Sequence, residues 1–135
     1  MTDHSSALES PPVLVRGAVA VALSVLVNAV LVVAVGAIGV APDFQALTIL
    51  PVAFLSAFGA AGAAGTYWLL DGRVDDVDRT FTRAAATVLV LSFVPDIALL
   101  FVDPAATVVG VVILMVMHVV VAVAAVGSLV YWGGQ

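Results

Sequence analysis

The sequence predicts an all-α integral membrane protein, a four-helix bundle that crosses the bilayer up-down-up-down with both termini in the cytoplasm. Of its 135 residues, 64% are hydrophobic and 10% are charged, which leaves too little polar surface for a soluble protein of this size. Four windows reach the ~20 apolar residues needed to cross a hydrocarbon core of ~30 Å. All the basic residues fall on one side of that arrangement, which sets its orientation.

The predicted spans are residues 17–41, 46–70, 84–102 and 105–132, and they belong to a single domain over residues 13–135. Residues 1–12 are polar, contain no Lys or Arg and end in Pro-Pro, which predicts a disordered tail. The first apolar run is long and lacks a small-residue cleavage site, so we interpret it as an uncleaved helix and not a signal peptide. Because the chain has no cysteine, disulfides and thiolate metal sites are excluded.

Orientation follows from the arginines, because cytoplasmic loops retain basic residues. The chain has no lysine, and its basic residues are Arg16, Arg73, Arg79 and Arg83. One precedes the first span and three lie between the second and third, which is the same side of a four-span protein. The opposite loops hold Asp43 and Asp103 without a base. Tyr-Trp pairs also end the second and fourth spans, as expected at an interface. We therefore predict a cell-membrane protein with cytoplasmic termini.

The loop residues predict how the helices begin. Asp43 and Asp103 are expected to be the N-caps of the second and fourth helices, with Pro104 in the first helical position of the fourth. Asp75 lies four residues before Arg79 in "DGRVDDVDRTFTR", a spacing that predicts a pair on a helix surface. We interpret this charged connection as a solvated loop, with partner docking as the alternative.

The second span contains many small residues in "SAFGAAGAAGT". A phosphate-binding glycine loop would need a preceding strand, which a run within the bilayer does not provide. Small residues let another helix approach closely, so this helix is expected to pack on most sides, against its own bundle or a second copy. A substrate path along it is the alternative. The predicted packing residues are Ser56, Gly59, Gly62, Ala63 and Gly65.

The third span contains an acid directly after a proline, in "LSFVPDIALL". A carboxylic acid at the centre of a spanning helix costs ~3 kcal/mol, so Asp96 is by default a functional-site hypothesis. Pro95 predicts a helix kink and leaves the carbonyl of Leu91 without its usual donor. A membrane span can accommodate Asp96 if its side chain faces the bundle and is either protonated or hydrated by water from the outer side of the membrane.

Other polar residues in the spans extend this hypothesis to a candidate buried polar site. Its predicted members are Asp96, His118, Ser92, Asn28 and Ser24. Counting ~1.5 Å per residue puts His118 and Asn28 near mid-membrane and Asp96 in the outer half, roughly 8 to 10 Å from His118 along the membrane normal. We therefore expect His118 to face the bundle and to bond to Ser92, to Asn28, or to a water linked to Asp96.

Several classes of site are not supported by these residues. His118 and one distant acid do not form a metal-ligand set, and there is no nucleophile–base pair at a recognisable spacing and no carboxylate pair. We therefore predict no catalytic, metal or cofactor site. Nine acidic residues against four basic ones disfavour nucleic acid as a partner, and they are typical of the surface of proteins from a very salty cytoplasm.

The stretches "ATVLVLSFVPDIALL" and "TVVGVVILMVMHVVVAVAAV" resemble a family of small four-helix prokaryotic integral membrane proteins classed as a domain of unknown function. The resemblance implies four spans and a polar focus at Ser92, Asp96 and His118, but no reaction. Small multidrug transporters are also four-helix chains, but they rely on a buried Glu in the first helix, which is absent here. From that comparison we keep only the hypothesis that four short helices need a second copy of the chain to enclose a cavity.

Two functional hypotheses follow from the sequence. The first is a non-enzymatic structural or assembly component whose buried polar cluster organises the bundle. The alternative is a small proton-coupled transporter or ligand-binding membrane protein that uses Asp96 and His118. The expected partners are the lipid bilayer, a second copy of the chain or another membrane protein.

Overall fold

The computed structural model describes residues 11–132, so the predicted tail lies outside it except for Pro11 and Pro12. The described chain is all-α, without strands. Its helices are α1 (Val13–Ala37), α2 (Ile49–Leu70), α3 (Val77–Val102) and α4 (Val108–Val126). A 3-10 turn, Gln45–Leu47, precedes α2, and a π-helical segment, Gly127–Tyr131, continues α4. All four helices are long and apolar enough to cross a membrane.

Helices α1 and α2 pack closely through small residues. A Cβ atom added to Gly17 would lie 2.6 Å from the Cβ of Ala64, and further along the pair Asn28 bonds to Ser56. Gly17, near the start of α1, lies beside Ala64, late in α2, whereas Asn28, later in α1, lies beside Ser56, earlier in α2. The two helices therefore run in opposite directions. This closeness is what small side chains permit between membrane helices, where dispersion contacts replace the hydrophobic effect.

Helix α3 joins the bundle mainly through α4. Near its start Phe81 packs with Ala125 and Leu129, and near its end Leu99 packs against the cluster that contains Leu114. These two helices therefore also run in opposite directions. Only Phe81 and Asp96 of α3 are buried, so most of its apolar surface faces outward, as suits a helix that contacts lipid.

Two hydrophobic clusters close the two ends of the bundle. The first surrounds the turn before α2, where Phe44 is 1% exposed and packs with Leu47 and residues of α1, α2 and α4. The second lies at the other end, around Tyr67, Phe81, Ala125 and Leu129. The middle of the bundle, between these clusters, holds the buried polar residues Ser24, Asn28, Ser56 and Asp96.

The predicted caps of α2 and α4 are wrong. The N-cap of α2 is Thr48, because Phe44 and Leu47 turn into the core before the helix begins. The carboxylate of Asp103 accepts a hydrogen bond from the amide of Ala105 at 2.9 Å, within the turn after α3. Helix α4 begins later, with Thr107 as the cap whose hydroxyl accepts from the Gly110 amide at 3.0 Å.

The predicted Asp75–Arg79 pair is also wrong. Helix α3 begins at Val77, so Asp75 lies before it and cannot be one helical turn from Arg79. The N-cap is the next acid, Asp76, whose carboxylate accepts from the Arg79 amide at 3.1 Å. The charged connection thus starts α3 by capping it.

The predicted packing residues of α2 divide into two groups. Ser56 is buried and Ala63 packs against the second cluster, and a Cβ on Gly59 would lie 3.4 Å from Val121 of α4. Gly62 and Gly65, in contrast, have no atom of the described chain within 4 Å of an added Cβ. Within its own bundle α2 therefore leaves the face that carries these two glycines uncovered, and packing of that face against a second copy stays a prediction.

The Gly17–Ala64 approach can be tested by substitution. Gly17→Ala should lower the free energy of unfolding by about 1–3 kcal/mol, because the added methyl has no room without separating α1 from α2. Gly62→Ala is the matched control and should change stability by no more than about 1 kcal/mol, in the stabilising direction. Denaturant titration of both variants in detergent micelles measures the difference. Equal stability of the two variants would contradict the close α1–α2 approach.

Candidate functional site

The acid of α3 and the histidine of α4 are in direct contact. The Nδ1 atom of His118 lies 2.9 Å from Oδ2 of Asp96. It also lies 2.8 Å from the carbonyl oxygen of Leu114, one turn earlier on the same helix. Asp96 is 6% exposed, and its Oδ2 has no other polar neighbour in the described chain. From the sequence, the two residues were expected roughly 8 to 10 Å apart along the membrane normal, with Ser92 and Asn28 as the better-levelled partners of His118.

Two features of the helices bring the pair together. Helix α4 begins at Val108 and not at residue 105, so His118 lies about 15 Å from the start of α4. Asp96 lies about 9 Å from the end of α3, which is at the same end of the bundle. The remaining difference is closed by side-chain direction, since side chains on a helix lean toward its N-terminus. With α3 and α4 running in opposite directions, Asp96 and His118 lean toward each other.

The surroundings of Nδ1 determine which ring nitrogen carries a proton. A carbonyl oxygen can only accept, so an Nδ1 atom 2.8 Å from the Leu114 oxygen must be the donor. That single N–H is directed at Leu114, which explains why the neighbouring Asp96 oxygen makes a close electrostatic contact and not a well-aligned hydrogen bond. In a neutral ring, Nε2 of His118 is then an acceptor.

A second polar group links α1, α2 and α4. The side-chain amide of Asn28 donates to the hydroxyl oxygen of Ser56 at 2.9 Å and to the carbonyl oxygen of Met117 at 3.3 Å. Asn28 is 1% exposed, and its Oδ1 has no partner among residues 11–132. The hydroxyl of Ser24, one turn earlier on α1, is likewise buried without a partner there.

The structure therefore does not bring the five predicted site residues into one cluster. Asp96 and His118 form one group, and Asn28 and Ser56 form another. The hydroxyl of Ser92 donates to the carbonyl oxygen of Leu89 in its own helix at 2.6 Å. The expected bond from His118 to Ser92 or Asn28 is not formed, because Nδ1 of His118 contacts the Leu114 carbonyl and Asp96 instead.

A cavity of about 400 Å³ lies between α2 and α3, with α4 at its back. It is mainly apolar, but His118 and Ser92 line it, as do Asn28 and Ser56 at the α1–α2 side. The imidazole is half-buried, with 38% of the side chain exposed, so it forms part of this wall. Apolar lining includes Phe58, Val88, Leu89, Met117, Val121 and Ala122. A mainly apolar cavity with a few polar groups is typical of small-molecule sites.

At the end of the bundle where Phe81 lines the cavity lies a group of residues that sequence analysis did not identify, which we call the Arg16 cluster: Arg16, Tyr67, Asp78, Phe81 and Leu129. The Tyr67 hydroxyl donates to Oδ1 of Asp78 at 2.6 Å, and its ring meets Phe81 edge-on with centroids 5.3 Å apart. The Arg16 guanidinium lies 5.1 Å from the Tyr67 ring centroid and donates to the carbonyl of Leu129.

The Arg16 cluster was missed because Arg16 was placed before the first span as a solvated topology signal. Helix α1 begins at Val13, so Arg16 lies within it and is only 7% exposed. The available signal was the position of Arg16, Tyr67 and Asp78 at the same predicted membrane face. A cation, an aromatic ring and an acid at one level form a mutually satisfying set.

The described residues contain no group of three or more His, Cys, Asp or Glu side chains placed to hold a metal ion. Asp96 and His118 alone supply two donor atoms, and the other polar groups near them are an amide and hydroxyls. This donor set does not match the ligand number of a structural or catalytic zinc site.

These features define a small four-helix protein whose helices are long and apolar enough to cross a membrane, with an aspartate–histidine pair whose histidine lines a cavity between helices. The chain belongs to a family of unknown function, DUF6069, whose model matches residues 9–131. This membership confirms the resemblance to a family without an assigned function. No curated protein and no solved structure matches the chain.

The Asn28 group can be tested with a double-mutant cycle. Asn28→Ala and Ser56→Ala should each lower the free energy of unfolding by about 1–2 kcal/mol, with a coupling of about 0.6 kcal/mol, as is usual for hydrogen bonds between membrane helices. Ser24→Ala is the control, because the Ser24 hydroxyl makes no bond in the described chain, and it should be close to neutral. A coupling of zero, measured by denaturant titration in micelles, would contradict the Asn28–Ser56 bond.

Proposed function

We propose that the chain is a multi-pass cell-membrane protein that crosses the bilayer up-down-up-down, with both termini in the cytoplasm. Support comes from four apolar helices and from the opposite directions of the α1–α2 and α3–α4 pairs. The position of the arginines supports the orientation, because Arg73, Arg79 and Arg83 lie in or next to the α2–α3 connection. Arg16 lies beside Tyr67 at the same end of the bundle.

We further propose that the protein binds a small, mainly apolar ligand from the bilayer in the cavity between α2 and α3. The observation that carries this proposal is the position of His118, the partner of the buried Asp96, at the cavity wall. If the pair served only to fix helix register, both side chains would be expected to be enclosed. His118 is instead half-exposed toward the cavity, so it is available to a ligand. The geometry thus favours the ligand-binding hypothesis over the purely structural one.

The proposed role is binding without chemical conversion of the ligand, so the protein is not proposed to be an enzyme or to need a cofactor. In the described chain the polar groups near His118 are the carboxylate that contacts it and hydroxyl or amide groups that bond to neighbouring helices. None of these pairs with His118 as a nucleophile would. Proton-coupled transport extends the same proposal, with the Asp96–His118 pair as the proton-carrying group.

Assembly is a second candidate function, favoured by one observation. Gly62 and Gly65 on α2 have open space beside them, and this face borders the cavity opening. A helix of a second copy, or of another membrane protein, could pack there as small residues allow. The proposed partners are then the lipid bilayer and such a helix, with no role for nucleic acid.

The topology is testable because the natural chain has no cysteine. Single cysteines at Ser5 and Asp75 should be protected from a membrane-impermeant thiol reagent in intact cells, whereas one at Asp43 should react. All three should react in permeabilised cells, which is the control for accessibility. Reaction at Ser5 and Asp75, with protection at Asp43, would reverse the proposed orientation.

Occupation of the cavity can be tested by photolabelling with a dodecyl chain that carries a terminal diazirine. In nanodiscs the label should map to cavity-lining residues of α2, α3 and α4, such as Val88 and Val121. Ala122→Phe fills the cavity one turn from His118 and should abolish this labelling. Val119→Phe is the matched control on the same helix, since Val119 faces outward and does not line the cavity.

Circular dichroism and thermal unfolding of both phenylalanine variants establish that each retains its helices. The label could instead spread over the lipid-facing residues, or be unaffected by Ala122→Phe. Either result would show that the cavity does not bind the dodecyl chain. Labelling of a second copy across the α2–α3 opening would favour the assembly role instead.

A further inference from the structure

Some polar atoms of the cavity wall already form hydrogen bonds within the protein, and others do not. The hydroxyls of Ser92 and Thr66 both donate to carbonyl oxygens of their own helices, at 2.6 and 2.8 Å. The amide nitrogen of Asn28 is occupied by Ser56 and Met117. These groups therefore have no donor directed at a ligand in the cavity.

The ring of His118 has one polar atom left for a ligand. Its Nδ1 is occupied by the Leu114 carbonyl and the Asp96 carboxylate, whereas Nε2 has no protein partner among residues 11–132. Since Nδ1 carries the proton, Nε2 of the neutral ring presents a lone pair. Oδ1 of Asn28, also without a partner among these residues, is an acceptor as well, and the buried Ser56 hydroxyl accepts from Asn28.

We propose that the ligand is an apolar molecule with a hydroxyl group, and that this hydroxyl donates its hydrogen bond to Nε2 of His118. This inference rests on the proposed function and names the chemical class that the cavity selects. Asp96 is a positioning residue, because its Oδ2 is 2.9 Å from Nδ1 and, together with the Leu114 carbonyl, favours the proton on that nitrogen, which leaves Nε2 as the acceptor.

The hydrogen-bonding capacity of Nε2 disfavours other head groups. An ionised carboxylate or a phosphate diester offers only acceptor oxygens and would leave the Nε2 lone pair without a donor. An ammonium group would be attracted to Asp96, but that carboxylate is buried behind the imidazole ring. An ether or ester carries only acceptors and would leave Nε2 without a partner.

The size of the cavity limits how much of the ligand it can enclose. At roughly 30 Å³ for each water-sized group, 400 Å³ holds about 13 non-hydrogen atoms. A dodecyl chain with a terminal hydroxyl matches that volume. Longer isoprenoid or acyl alcohols could extend through the α2–α3 opening into the lipid.

The test is ¹⁵N NMR of the imidazole in nanodiscs, using the His4→Gln variant so that His118 is the only histidine. Before ligand is added, Nδ1 should be protonated and Nε2 should show the resonance of an unprotonated ring nitrogen. Adding 1-dodecanol should shift the Nε2 resonance toward that of a hydrogen-bonded acceptor. Dodecyl methyl ether, which has the same chain but no donor, should leave it unchanged.

Competition against the photoactivatable dodecyl chain measures the selectivity. The alcohol should compete about tenfold better than the ether, as expected for one buried hydrogen bond. His118→Leu should remove this difference and still be labelled, because an apolar residue of similar bulk keeps the cavity apolar. Asp96→Asn should weaken alcohol binding and change the ring's tautomer populations, whereas a merely structural role for Asp96 would leave the ¹⁵N pattern unchanged.

The outcomes separate this inference from the proposed function. If the alcohol and the ether compete equally while Ala122→Phe still blocks labelling, the cavity binds ordinary acyl chains and the hydroxyl preference is overturned. If the spectrum shows Nε2 protonated and Nδ1 unprotonated, the ring is in the other tautomer, and the predicted preference for a hydroxyl-bearing ligand is contradicted. If the photoactivatable dodecyl chain does not label the cavity, the proposed ligand-binding function itself is contradicted.

Discussion

The contact that Tyr67 makes with Arg16, Asp78 and Phe81 determines how the four helices are arranged. It is where α2 and α3 meet, and Arg16 joins α1 to the same point while donating to Leu129 after α4. A buried arginine is tolerable only when its charge has such partners. Because α2 and α3 are joined at this end, they leave a cavity between them along the rest of their length, where α4 forms the back wall.

Helix α4 separates the two polar groups and serves both with consecutive residues. The Met117 carbonyl accepts from Asn28 on one side, and the His118 ring contacts Asp96 on the other. Asn28 is 1% and Ser56 4% exposed, although both line the α1–α2 side of the cavity, whereas His118 is only half-buried. The Asn28 amide thus joins α1, α2 and α4, and the imidazole is the more accessible of these polar groups at the cavity wall.

The sequence was sufficient to predict the four helices, because apolar length and the absence of charges are properties of each segment alone. The residue types of the site, Asp96 and His118, were also identified, since ionisable groups are rare in spans. Their contact was not, because it depends on where α4 begins and on the opposite lean of side chains on neighbouring helices. Arg16 was misplaced for a related reason: the helix boundary lay four residues earlier than the apolar pattern indicated.

The opening between α2 and α3 faces the side of the bundle and not its ends. A ligand would therefore enter from the hydrocarbon, and the concentration that governs occupancy is its mole fraction in the membrane. Each methylene adds about 0.8 kcal/mol to partitioning from water, so the affinity measured against aqueous concentration should rise about fourfold per carbon without any new protein contact. For the proposed ligand, the bilayer would thus add a dependence on chain length to the limit set by the cavity volume, and the proposed contact with His118 would govern the head group.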